Sequence, residues 1–404
     1  MKKLLMALLC TLVLGPALAL GAQEESSHHR LHERIKRLES RLETAPTSSH
    51  GATGVAAPSH AVEKLGTVLA NWSERITLSG LLEIEACYVD VDFDKARGEA
   101  GSDLVLATVE LGIDAELTDS TSAHVLLLWE EDATEPIEVD EAFIVLDGIA
   151  DTPTWIRAGK IYIPFGNFTS NMISDPLTLV LGETHASALE VGFKLGGIYA
   201  LAYVFNGDID AAGKDDHIDN FGAQLGYSME REGFRLGAGI SYINNLIDSD
   251  CWGDEFQDFG GYEINASIGG FGAHAVVEAG AFNFIAEYVC AVDDPEYLAT
   301  STGAVEKRDA VQVWNLEAGY MFTLMNKETL VAIAYQGTKN AESMFPQGYA
   351  AEDDELDFLP AQRYMAMVGA EIFPYTSLAL EYAHDEYRND DRADIVTMQL
   401  ALKF

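Results

Sequence analysis

From Arg75 onward the chain alternates apolar and polar residues at every second position. Ile76, Leu78, Leu82 and Ile84 interleave with Thr77, Ser79, Glu83 and Glu85. At the far end Val396, Met398, Leu400, Leu402 and Phe404 interleave with Thr397, Gln399 and Lys403. A period of two puts the apolar set on one face of a strand and the polar set on the other. The pattern predicts strands at 75–89, 103–117, 122–131, 138–147, 154–162, 187–195, 198–206, 219–229, 233–243, 260–269, 281–291, 311–323, 328–337, 362–373, 376–387 and 393–404. Each is near the length that a tilted membrane strand needs. Gly270 to Gly280 fits either a long turn or a further strand.

The connections alternate in length. Thr118–Thr121, Gly196–Gly197, Glu230–Glu232, Leu324–Lys327 and Pro374–Tyr375 are short, whereas 90–102, 163–186, 207–218, 244–259, 292–310 and 338–361 are long. Short turns on one side and long loops on the other mark a membrane barrel rather than a soluble sandwich. The expected fold is an all-β transmembrane barrel of about sixteen antiparallel strands over 75–404.

The strand faces sharpen this. Phe221, Ala223, Leu225 and Tyr227 share one face, as do Phe234, Leu236, Ala238, Ile240 and Tyr242, and Trp314, Leu316, Ala318, Tyr320 and Phe322. Aromatics at the ends of such runs suit membrane interfaces. The opposite faces carry acids, among them Glu83, Glu85, Glu110, Asp114, Glu116, Glu190, Glu263, Glu287, Glu317, Glu371 and Glu381. The few inward cations are chiefly Arg157, Lys194 and Arg235. A carboxylate costs much in lipid and little in water, so this face predicts a wet, acidic lumen that favours cations. The pore-lining candidates are Glu83, Glu85, Glu110, Asp114, Glu116, Arg157, Glu317, Glu371 and Glu381. An evenly solvated wall with no filter fits the same residues.

Ahead of the barrel the periodicity changes. Met1–Lys2–Lys3, an apolar run from Leu4 to Leu20 and small residues up to Ala22 predict a signal peptide over 1–22. Leu31, Ile35, Leu38 and Leu42 form a short heptad seam, so 23–44 is expected to be a helical coiled-coil segment, or a frayed amphipathic tail. Residues 45–74 are expected to be a flexible linker, from the Ala, Gly, Ser, Thr and Pro-rich stretch Thr44 to Pro58, and Ala61 to Trp72 fits a short helix that leads into the first strand. No later stretch is long and apolar enough for a transmembrane helix.

The formal net charge of −40 argues against nucleic acid as a partner. Beyond the signal, Cys87, Cys251 and Cys290 remain, and a Cys251–Cys290 bridge is open. No nucleophile elbow, P-loop or His-Glu-x-x-His motif occurs, and no histidine spacing suits a metal, so no enzyme activity, cofactor or metal is expected. The acid runs Glu352–Glu355 and Asp390–Asp391 fall on long-side loops, either as solvated tips or as divalent-cation bridges to lipopolysaccharide.

Several stretches carry a family likeness. Ser79 to Ala86, Leu106 to Ala115, His124 to Asp132, Val139 to Ala142, Tyr162 to Phe168, Ser174 to Leu177 and Val204 to Asp208 resemble the LbtU family of siderophore porins. The likeness covers roughly 75–404 and is densest over 79–208. It implies an outer-membrane barrel that passes a ferric siderophore without the plug of energy-coupled receptors, and the terminal Phe404 resembles the assembly signal of such barrels. Porin-type barrels commonly form homotrimers, which agrees with the heptad seam. In sixteen-stranded porins the loop after strand 5 folds inward. By that analogy 163–186 narrows the pore, with Asn167, Asp175, Glu183, Thr184 and His185 as constriction candidates; a loop packed on the rim is the alternative. A general cation-preferring pore, and a non-transport adhesin or envelope tether, remain the competing readings.

Overall fold

The computed structural model describes residues 75–131, 136–149, 152–214, 217–347 and 356–404. The expected signal peptide, the coiled-coil segment, the linker over 45–74 and the acid run Glu352–Glu355 lie outside the described residues. Sixteen strands close a barrel: β1 (Ile76–Asp92), β2 (Glu99–Thr118), β3 (Thr121–Trp129), β4 (Glu138–Asp147), β5 (Thr154–Tyr162), β6 (His185–Leu195), β7 (Ile198–Phe205), β8 (Asn220–Arg231) and β9 (Phe234–Ile243) form its first part. A short strand, β10 (Tyr262–Ile264), stands outside the barrel. The wall resumes with β11 (Gly270–Ala279) and β12 (Phe282–Ala291). Two more outlying strands follow, β13 (Glu296–Ala299) and β14 (Val305–Lys307). The wall then ends with β15 (Gln312–Leu324), β16 (Lys327–Lys339), β17 (Gln362–Phe373), β18 (Thr376–Glu386) and β19 (Arg392–Lys403). All wall pairs are antiparallel, and β1 pairs with β19 to close the ring.

The tight turns follow from backbone chemistry. Gly196–Gly197 and Met325–Asn326 both hold consecutive positive φ angles, 60° and 88° in the first and 49° and 61° in the second. Turns of that hand match the twist of two antiparallel strands and favour Gly or Asn.

One predicted strand is displaced. The tenth wall strand is 270–279, not 260–269. Only Tyr262–Ile264 of the predicted stretch is extended, in a small sheet with β13 and β14. Glu263 is therefore not on the lumen wall. Gly270, Gly272, Ala273 and Ala275 are too small to give β11 a strong alternation, which is why the neighbouring stretch reads as the better strand. The correction shortens the β11–β12 turn to Gly280–Ala281 and lengthens the preceding loop to 244–269, so the loop asymmetry becomes sharper.

The outward faces agree with the alternation. Leu225, Ile240, Leu316, Ile333, Leu380 and Met398 are all exposed, in a belt that runs round the barrel. An apolar surface this continuous is stable only against lipid. Phe404 belongs to it: its N–H donates to Gly80 O (3.0 Å), its O accepts from Gly80 N (2.9 Å), and its ring lies across the space a Gly80 side chain would fill. Deleting Phe404 should impair insertion by opening this seam while leaving the ion preference of the assembled fraction unchanged. Heat-modifiable gel migration and reversal potentials check the two halves of that expectation; normal assembly of the deletion would overturn it.

The interior departs from the expected wet lumen. A buried apolar core fills the long-loop half of the barrel. It joins Ile163, Phe165, Phe168, Leu177 and Leu181 to Leu246, Trp252 and Phe256, and to Tyr297, Met344 and Phe345 from later loops. Two short helices carry part of it, α1 (Leu177–Gly182) and α2 (Asp250–Phe259). Trp252 Nε1 donates to Met344 O (2.7 Å), and the Tyr297 hydroxyl donates to the same carbonyl. A second cluster packs Met172, between β5 and β6, against Ala334, Met365, Met367, Ala383 and Ile395 on the wall from β16 to β19. Cys251 and Cys290 are free thiols. Asp391, expected at a loop tip, is buried and accepts from Asp94 N (2.7 Å), so it braces two loops together.

Candidate functional site: the inward loop and the lumen wall

The segment 163–184, between β5 and β6, crosses the lumen and is held by the opposite wall. Three carboxylates on the inner face hold its backbone. Glu287 of β12 accepts from Asn167 N (2.6 Å), Phe168 N (3.0 Å) and Thr178 Oγ1 (2.9 Å). Glu317 of β15 accepts from Ser170 Oγ (2.7 Å) and Asn171 N (2.7 Å). Glu381 of β18 accepts from Ile173 N (2.5 Å) and from Ser174 Oγ (2.6 Å). Gln336 of β16 accepts from Leu177 N (3.0 Å), while Ser241 of β9 accepts from Gly166 N (2.9 Å). A loop inside a barrel has backbone donors that water does not satisfy, and a carboxylate is the strongest acceptor a wall strand can offer them. Pro164 and Pro176 remove two such donors, and Gly166 (φ 75°) turns the chain.

This assigns different work to residues that share one sequence pattern. Glu317 and Glu381, expected to line the pore, are clamps and are buried. Glu371 is exposed at the β17–β18 turn, where it accepts from Tyr375 N (3.3 Å). Glu83 and Glu85 are buried on the inner face of β1, and Gln399 Nε2 donates to Glu85 (2.8 Å). Arg157 is paired with Glu190 (2.5 Å) and lies over the Phe143 ring at 5.3 Å. The more open inner-face acids sit on β2 and β4, away from the clamped loop. Glu110 is half-buried, Asp114 accepts from or pairs with His124 Nδ1 (2.7 Å), Glu116 is exposed, and Glu141 lies 3.9 Å from His124 Nε2. Alternation along β2 and the β2–β3 and β3–β4 registers place these groups on one face.

The five loop candidates divide in the same way. Asn167 and His185 are half-buried; Asp175, Glu183 and Thr184 are buried. The His185 ring stacks on Tyr162 with centroids 4.6 Å apart, and its Nδ1 lies 3.8 Å from Asp140. Thr184 O accepts from Ile163 N (2.8 Å), which closes the base of the loop. Of the other clamp residues, Glu287 is one of the inward-face acids of the sequence pattern but not a pore-lining candidate, while Gln336 and Ser241 carry no sequence signal of their own. Only their inward parity on polar-faced strands marks them.

A second tie joins the loop to α2. Asp250 Oδ1 accepts from His185 N (3.0 Å), and Asp250 N donates to Glu183 O (2.9 Å). Burial pushes the Asp250 carboxyl up to about 7, with Asp254 and Asp140 adding to the rise and the His185 N–H and Lys160 opposing it. Burial likewise raises Glu183 well above the usual carboxylate range, and Asp250 adds to it. The folded state therefore holds a proton on Asp250 that the unfolded chain, with a pKa of about 3.9, has lost. Its contribution is full below about pH 4 and falls as the pH rises towards 7, at about 1.4 kcal/mol per pH unit between the two values. Thermal unfolding in detergent should drop from pH 5 to pH 8, and Asp250→Asn should flatten that drop; an unchanged slope would show that the group is not linked to stability.

Among known proteins, no protein-family model matches the chain. It is 25% identical over 320 residues to a UPF0422 protein of Coxiella burnetii, covering 77% of this chain and 64% of that one. It is 24% identical over 354 residues to the UPF0422 protein lpp3030 of Legionella pneumophila strain Paris, covering 80% and 61%. The chain thus spans a little over three-fifths of the length of these relatives. Solved barrels match over more of their length. Pseudomonas putida OprB aligns with a TM-score of 0.57 at 10% identity, covering 85% of this chain and 97% of that one. The outer membrane channel DcaP of Acinetobacter baumannii aligns at 0.53 with 13% identity, covering 81% and 97%. An anion-selective porin from Comamonas acidovorans aligns at 0.51 with 12% identity, covering 81% and 99%. At these identities the likeness establishes the architecture, a closed sixteen-strand porin-like barrel.

Proposed function

We propose that the protein is an outer-membrane channel for small solutes with a preference for cations. The observation that carries this reading is the clamped loop: a lipid-belted closed barrel holds one of its own segments across the lumen, the arrangement that would narrow an aqueous path through it. Glu110, Asp114, Glu116 and Glu141 share the inner face of β2 and β4, and a fixed negative field in a narrow aqueous path would raise the local concentration of cations. Purified protein in planar bilayers tests it. Stepwise conductance with a reversal potential on the cation side of a KCl gradient is expected; silence would favour a tether or adhesin, and anion preference would overturn the charge argument.

A ferric siderophore as cargo rests on the sequence resemblance alone, which covers roughly 75–404 and is densest over 79–208. Iron-limited uptake in a deletion strain decides it: unchanged uptake removes the siderophore and leaves the general pore. Assembly as a homotrimer, with lipopolysaccharide around the belt, is part of the same proposal and is read from cross-linking of the purified barrel.

A further inference from the structure

Two histidines of the wall stand in the same arrangement on opposite faces of the sheet. On β18, His384 Nδ1 lies 2.8 Å from Asp394 Oδ1, and its Nε2 lies 3.8 Å from Glu386 Oε1. His384 shares the parity of the exposed Leu380 and Tyr382, so this set belongs to the outer surface. On β3, His124 Nδ1 lies 2.7 Å from Asp114 Oδ1, and its Nε2 lies 3.9 Å from Glu141 Oε2. Here the parity is reversed. Leu111 on β2 and Ile144 on β4 are exposed on the outer face, so Asp114, His124, Glu141 and Phe143 point inward.

The inner set is open to water. The Asp114 side chain is 51% exposed and that of His124 20%. On the inner face of a closed barrel that open surface meets the interior, not lipid. The His124 ring stacks on Phe143, with centroids 5.0 Å apart and planes at 28°, which holds the imidazole between its two carboxylates. The other charged groups around it are Glu110 and Glu116 on β2, Asp140 on β4 and Arg157 on β5. Arg157 lies over the same Phe143 ring at 5.3 Å and is already paired with Glu190. An imidazole ordinarily changes charge between pH 5 and 8, where an ordinary guanidinium keeps its own. A proton on His124 therefore sets a positive charge against Asp114 and Glu141 and offsets part of the fixed negative field of this wall.

We propose that His124 makes the ion preference of the channel depend on pH, a role that rests on the channel function. Protonated, it weakens the preference for cations; neutral, it leaves Asp114 and Glu141 to act in full. His384 carries the same chemistry on the outer surface, where its charge lies outside the ion path, and so serves as the internal control.

Reversal potentials of the purified full chain in planar bilayers, under a KCl gradient at pH 5 and at pH 8, test this. The parent should become more cation-selective as the pH rises. His124→Gln, fixed neutral, should exceed the parent's cation-to-anion permeability ratio by about twofold at pH 5 and match it at pH 8. His124→Lys, fixed positive, should match the parent at pH 5 and fall about twofold below it at pH 8. Comparing each variant with the parent at one pH cancels charge changes at the other acids. His384→Gln should follow the parent throughout. If both His124 variants follow the parent at both pH values, or if His384→Gln moves the ratio as far as His124→Gln does, the assignment is overturned while the channel stands. Silent bilayers would instead overturn the channel reading, and the role of His124 with it.

Discussion

Replacing Glu287 and Glu381 together with Ala should release the inward loop and widen the channel. Each carboxylate holds loop donors: Asn167 N, Phe168 N and Thr178 Oγ1 on the first, Ile173 N, Ser174 N and Ser174 Oγ on the second. Stripping a buried donor of its partner costs about 1–3 kcal/mol, so the clamped geometry loses its advantage over a solvated loop. The wall strands keep their ladder bonds, so the barrel should still assemble. Conductance should rise by about twofold or more as the passage gains the space that the loop vacates. Amide exchange at Asn167, Phe168, Ile173 and Ser174 should accelerate by roughly tenfold or more, because local opening then sets the rate.

The isosteric change separates charge from shape. Glu287→Gln keeps the volume but turns one oxygen, an acceptor for a loop donor, into an amide nitrogen that donates. Two donors then face each other, so Gln should free the loop partly and Ala fully. If both variants conduct and exchange like the parent, the apolar contacts of Phe165, Phe168 and Leu181 hold the loop by themselves, and the clamp is redundant.

Much of this architecture is legible in the chain, and the limits are physical. A period of two reports which side of a strand is wet or buried, so the faces of β8, β9, β15 and β19 follow directly from Phe221, Ile240, Leu316 and Met398. Loop lengths then give the two ends of the barrel. The odd composition of 163–184 marks it as a shaped loop. Alternation does not report what stands against the inner face. Glu110 and Glu381 look alike in sequence, yet one is half-buried on β2 and the other is buried under Ser174. The apolar core inside the barrel was hidden for the same reason. Trp252, Phe256, Tyr297 and Phe345 lie in separate loops, and only their convergence makes a core. β11 escapes the alternation because glycine and alanine weaken the very contrast that identifies a strand.

Those glycines are not interchangeable with alanine everywhere, and Gly159→Ala should be the most damaging single substitution in the barrel wall. Gly159 sits in β5 with φ 147°, a conformation that a residue with a β-carbon rarely adopts. A β-carbon there would stand 2.1 Å from Ala142 O and 2.6 Å from Phe143 Cα. Both are backbone atoms of β4 and cannot swing aside as a ring or a flexible chain would. Relief requires β4 and β5 to part at the Phe143↔Gly159 pair, beside the Arg157–Phe143 contact. Backbone strain of this kind costs about 1–3 kcal/mol before any ladder bond is lost. The damage also travels, because β5 runs straight into Ile163 and Phe165, the residues that start the inward loop and its core. Gly101→Ala is the control: nothing lies within 4 Å of its β-carbon position, and its φ needs no glycine. That control should stay within about 0.5 kcal/mol of the parent. Heat-modifiable migration should show Gly101→Ala folded and Gly159→Ala largely unfolded. A Gly159→Ala barrel that folds and conducts as the parent does would mean that β4 and β5 can separate at this pair without loss, and that the loop does not depend on the register of the strand that launches it.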